Sequence, residues 1–136
     1  KSVPTDVPAP AHMHPDEWQA RRQLASCYRV FAMLGWTEMI YNHITLRLPD
    51  SVTGGEKHFL INPFGLHYSE VTASNLVKIN VQGRKLDGSP YPVNPAGFTV
   101  HAAVHEGLAG RRQRHALAGS IQKLDAQALF QIFNPY

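Results

Sequence analysis

The sequence predicts an α/β sandwich with a mixed, largely antiparallel sheet, and three observations carry that expectation. Apolar residues recur at three- and four-residue spacing through Leu24, Cys27, Tyr28, Phe31 and Leu34, the period of an amphipathic helix. From His43 to Leu48 the period shortens to two, and short strand-like runs at His58–Ile61 and Val77–Val81 follow between Gly, Pro and Asn turns. A second helical stretch starts near Phe98 and carries His101 and His105. Hairpin-like strands flanked by helices do not suit a strictly alternating parallel fold.

Each element has a local reason. Pro4, Pro8, Pro10 and Pro15 stand among small and polar residues, so residues 1–15 are expected to be a flexible leader and residues 16–136 one domain. Pro15-Asp16-Glu17 places proline and two acids in a first helical turn, and Gly35 ends that helix. Pro49-Asp50 and Gly54-Gly55 supply the turn after the first strand, and Asn62-Pro63-Phe64-Gly65 breaks the second. Thr72-Ala73-Ser74-Asn75 is expected to cap one helical turn before the third strand. Gly83 and Asp87-Gly88 read as hairpin punctuation, with Tyr91 and Val93 beginning a return strand. Leu124 to Phe133 reads as a further amphipathic helix.

Composition narrows the function classes. The 136 residues are 43% hydrophobic and contain one cysteine, Cys27, which excludes a disulfide-stapled module and leaves a buried free thiol as its expected role. No apolar run reaches the roughly 18 residues that cross a bilayer, and the first residues lack the apolar core of a secretory signal. A cytoplasmic protein without membrane contact is therefore expected. The net charge is +3, and apart from Arg111-Arg112-Gln113-Arg114 the basic residues are dispersed. That short run is expected to be a solvated face, not a nucleic-acid surface. Position 1 is Lys, which fits numbering that begins inside a longer or processed chain.

Histidine is the one residue type whose placement points to chemistry. His101 and His105 stand four apart, so on a helix their rings share a face and can reach one ion. Two ligands do not complete a site, and the alternative role for the pair is packing or hydrogen bonding within the fold. His12 and His14 lack a rigid scaffold. His43, beside Asn42 at a strand edge, faces either a pocket or solvent. No dinucleotide, Walker A or Gly-x-Ser-x-Gly element is present.

Longer runs carry a resemblance. Leu24 to Arg29, Gly35-Trp36, Tyr41 to Arg47, Phe59 to Gly65, Thr72 to Lys78, and Pro92 to Phe98 followed by His101 to His105 are collinear with the class II aldolase/adducin family. Residues 21–106, about two thirds of the chain, resemble it. The resemblance implies a three-layer sandwich with a mixed, largely antiparallel central sheet between helices. It also implies zinc or another divalent cation, held mainly by histidines, that polarises a small hydroxy or keto compound so that an enediolate forms. A ring-shaped homotetramer is the implied assembly.

Carried over residue by residue, the resemblance gives a substrate pocket of Asn42, His43, Asn62, Phe64, Gly65, Asn94 and Gly97. Phe64 stands where sugar-phosphate aldolases have a phosphate-holding serine, and Gly97 where they have an acid. Those two positions turn the expectation from a phosphorylated-sugar aldolase toward the adducin-like subgroup. After His105 the family's His-x-His metal pair is missing, and the chain runs through the arginine cluster to His115. An improvised metal site would consist of His101, His105 and His115. The expected functions are then a metal-dependent lyase acting on a small substrate, a non-catalytic adducin-like binding or assembly module, or a truncated relative without activity.

Overall fold

The computed structural model describes residues 7–37 and 42–112. The chain divides into two compact units, Lys1–His105 and Glu106–Tyr136, and of the second the described part is the end of one helix. In the first unit, helix α1 spans Pro15–Met33, strand β1 Thr45–Arg47, the single-turn helix α2 Asp50–Thr53, strand β2 His58–Ile61 and strand β3 Val77–Asn80. Helix α3 follows at Pro95–Arg112. The strands form an antiparallel sheet in the order β1-β2-β3, with Thr45 opposite Ile61 and Phe59 opposite Ile79.

The period of two sorts the strand residues onto two faces. Leu46, Leu48 and Leu60 meet Leu24, Tyr28, Tyr68 and Leu76 on the α1 side. Phe59, Ile61, Val77 and Ile79 meet Phe98 and Ala102 of α3 on the other side. The result is the expected helix–sheet–helix layering. Tyr28 and Tyr68 close the α1 side edge-to-face, with ring centroids 4.6 Å apart.

Helix α1 begins where the proline and acids place it: His14 Nδ1 accepts from the Asp16 amide, and Gly35 takes φ +70° after the last turn. Its buried face keeps Leu24 and Tyr28 of the expected stripe, with Phe31 packed against it, but departs from it at the ends. Glu17, Ala20, Arg21, Leu24, Ala25 and Tyr28 face inward, while Leu34 is 52% exposed and Cys27 half-buried. The stripe is rotated because two charged residues belong to it. Arg21 Nε donates to Glu17 Oε1 (3.0 Å), its other nitrogens to the Leu76 carbonyl (2.6 Å) and Asp87 Oδ2 (2.9 Å), and Lys78 Nζ donates to Glu17 Oε2 (2.8 Å).

Two other expectations fail locally. Thr72 to Asn75 form a turn, not a helical one: Asn75 Oδ1 accepts from the Thr72 amide, and Thr72 Oγ1 from the Asn75 amide. No return strand forms at Tyr91 and Val93. The chain reverses earlier, at Asn80 to Gly83, where Gly83 has φ +76°, and a single bridge joins Ile79 to Lys85. Asp87 is instead drawn to Arg21 and to the Lys78 amide. The helix expected at Leu124 to Phe133 lies outside the described residues, as do Gln113 and Arg114 of the basic run. No helix among the described residues is long and apolar enough to cross a membrane.

Candidate functional site

Alternation along β1 places His43, Thr45 and Arg47 on the face that α3 covers, while Ile44 and Leu46 turn toward α1. The helix starts at Pro95, three residues before the expected Phe98, and brings His101 and His105 onto that face one turn apart. Thr45 Oγ1 lies 2.7 Å from His101 Nδ1 and 2.9 Å from His105 Nε2. The other nitrogen of His101, Nε2, meets His43 Nδ1 at 2.8 Å. Four side chains, from β1, the stretch just before it and α3, thus form one hydrogen-bonded run. The His105 ring also packs on Phe59, with centroids 4.8 Å apart.

Burial sets the charge of this run. Loss of solvent, reinforced by the neighbouring His43, lowers the His101 pKa to about 4, so its ring is neutral at physiological pH. Burial lowers the His43 pKa as well. Gly97 allows the close packing: a Cβ there would lie 2.6 Å from His43 Cδ2.

The other expected pocket residues sort into neighbours and outsiders. Asn62 is 3% exposed and meets the Tyr28 hydroxyl at 3.0 Å, and that hydroxyl accepts from the Ile44 amide at 2.8 Å, directly behind His43 and Thr45. Asn94 caps the first turn of α3 through its carbonyl and side chain. Phe64 joins the Pro92 carbonyl through its backbone N–H, and Gly65 is exposed with φ +96°. Asn42 is half-buried, and His115 lies outside the described residues. Thr45 was not singled out from the sequence, although the alternation that placed His43 also placed Thr45 on its face. Tyr28 was read as core alone.

The hydrogen bonds decide whether a divalent cation fits the described donors. Ligands about 2.0–2.1 Å from a tetrahedral zinc stand roughly 3.4 Å from one another. The contacts of Thr45 with His101 and His105 are shorter than that, at 2.7 and 2.9 Å, and His101 engages both of its nitrogens. A neutral hydroxyl holds the two imidazoles that an ion would have to share. Among the described residues no group of three His, Cys, Asp or Glu side chains is placed to hold a metal. These donors do not fit an ion.

Comparisons with known proteins agree with the fold. The model of the Class II Aldolase and Adducin N-terminal domain family matches residues 22–116. A Pseudomonas aeruginosa protein named as an aldolase class 2 protein is 50% identical over 105 residues, 77% of this chain and 38% of that one. Mouse alpha-adducin is 53% identical over 87 residues, 62% of this chain and 11% of adducin. The crystal structure of an aldolase II superfamily protein from Pseudomonas syringae superposes with a TM-score of 0.64 at 43% identity, covering 70% of this chain and 37% of that one. The chain therefore spans well under half the length of these relatives.

Proposed function

The chain belongs to the class II aldolase and adducin N-terminal domain family, and from that premise we propose that it serves as an adducin-like binding and self-assembly module, not as a metal-dependent lyase. The observation that carries this reading is the Thr45 hydroxyl bonded between His101 and His105. Enediolate chemistry of the family type needs a Lewis acid, and this donor set is already closed by its own hydrogen bonds. Two further positions support the reading. Phe64 offers no side-chain donor to a phosphate, and Gly97 has no group with which to move a proton. A second copy of the chain is the proposed partner, and a cytoplasmic location is part of the same proposal.

One preparation tests both halves. The chain is stripped with chelator, supplied with zinc, and measured for bound metal, circular dichroism and mass by light scattering. The expected result is a folded multimer with far less than one ion per chain. One tightly held ion per chain, lost in His101→Ala, would overturn the reading in favour of the lyase. A folded monomer would remove the assembly half.

A further inference from the structure

The two edges of the sheet differ in what becomes of their backbone groups. The Leu48 amide donates to the His58 carbonyl at 2.9 Å. With Leu46 opposite Leu60 and Arg47 opposite Phe59, the antiparallel alternation makes Leu46 and Leu60 a hydrogen-bonded pair. Thr45 and Arg47 therefore turn their N–H and C=O groups away from β2. On β3 the same alternation turns Lys78 and Asn80 outward. There the chain closes its own edge: the Lys78 amide donates to Asp87 Oδ2, its carbonyl accepts from the Leu86 amide, and the Asn80 amide donates to the Arg84 carbonyl. Among the described residues, the outward backbone groups of Thr45 and Arg47 meet no such partner.

We propose that this open edge is the self-assembly surface, on which β1 of a second copy pairs antiparallel about a two-fold axis through Leu46. The inference rests on the self-assembly reading above and names where the copies meet. The edge offers a short row of alternating donors and acceptors, which an extended backbone matches and a helix does not. The row is also self-complementary. Outward-facing residues can exchange bonds only with outward-facing residues, so Thr45 of each copy pairs with Arg47 of the other. The two Leu46 side chains then stand opposite each other on the α1 side of the sheet, an apolar cross-strand pair that supports the ladder. An axis through Arg47 would instead set two guanidiniums face to face, and Pro49, which has no N–H, ends the row after Leu48. Because the loop after β3 closes that edge, pairing uses up the open edge of both copies, and growth of the sheet stops at two.

Amide hydrogen exchange of the nitrogen-labelled full chain, read by NMR at concentrations on either side of the mass change in light scattering, tests the edge. The amides of Leu46 and Leu48, held by β2, and of Lys78 and Asn80, held by the loop after β3, are expected to keep their protection on dilution. Those of Thr45 and Arg47 are expected to be protected in the multimer and to lose about tenfold of that protection in the dilute chain. Arg47→Pro removes an outward N–H without touching the ladder to β2, and is expected to give a monomer with unchanged circular dichroism. A multimer in which Thr45 and Arg47 exchange freely would overturn the inference while leaving the self-assembly reading in place. Protection unchanged by dilution would put another segment of the same chain on the edge and overturn it as well, and a monomer at every concentration would remove both. A proline variant that folds and still assembles would also refute the pairing. If that variant does not fold, the exchange of the unaltered chain decides.

Discussion

Gly97 shows what one absent carbon does at the candidate site. A Cβ at that position would lie 2.6 Å from His43 Cδ2 and 2.8 Å from Cγ, so the ring would have to leave its contact with His101. Gly97→Ala is therefore expected to cost about 1–3 kcal/mol, as overpacking does, measured by urea unfolding. Gly107 is the control. It lies in α3 with no atom of the described residues within 4 Å of the place a Cβ would take, and Gly107→Ala is expected to stabilise by about 0.5–1 kcal/mol through helix propensity alone. The sequence marked Gly97 only as a position without an acid. Its packing reason was hidden because His43 is remote in the chain, and no local pattern encodes that contact. Thr45 was more accessible, since strict alternation from His43 to Arg47 already assigned it to the same face.

Helix α1 illustrates a period read correctly and a face read in part, since Leu24, Tyr28 and Phe31 join the core while Leu34 does not. The spacing of Leu24, Tyr28 and Phe31 was enough to find the helix, and Pro15 and Gly35 were enough to bound it. The stripe was displaced because Glu17 and Arg21, 7% and 2% exposed, count as polar in any amphipathic pattern yet lie inside. Their partners Lys78 and Asp87 sit beside each other only after β3 and its following loop have folded. Such a network is costly to break from one side, because the survivors are left charged and buried. Arg21→Met is expected to destabilise by about 3–5 kcal/mol in thermal or urea unfolding, since it leaves Glu17 and Asp87 without their guanidinium. The pair between Arg47 and Asp50 provides the contrast. The Asp50 side chain is 69% exposed, so Asp50→Asn is expected to cost less than about 1 kcal/mol.

The two layers that cover the sheet differ in chemistry, and acid distinguishes them. The α1 side is held by apolar packing and the Arg21 ion network, whereas the α3 side adds to its own apolar cluster imidazoles that fold in the neutral form. The layering itself was legible from the sequence, because periods of 3.6 and 2 mark helices and strands without long-range information. The dependence on neutral histidine was not, because it arises from burial and from contacts between β1 and α3. For His101 the folded pKa, about 4, lies below the unfolded value of 6.5. Between those values the unfolded chain binds the extra proton, so stability is fully present above pH 6.5 and falls as pH drops toward 4. His43 shifts in the same direction and adds to the slope. With allowance for the solvent that reaches these half-buried rings, the loss is expected to be on the order of 1–2 kcal/mol. Thermal unfolding across that range should show it, and His101→Gln should flatten the dependence, because glutamine does not titrate. Hydrogen exchange should place the loss in the His43 and α3 amides before those of α1. A pH-independent midpoint, or equal loss of protection in both helices, would mean that the neutral imidazoles do not hold the α3 layer in place.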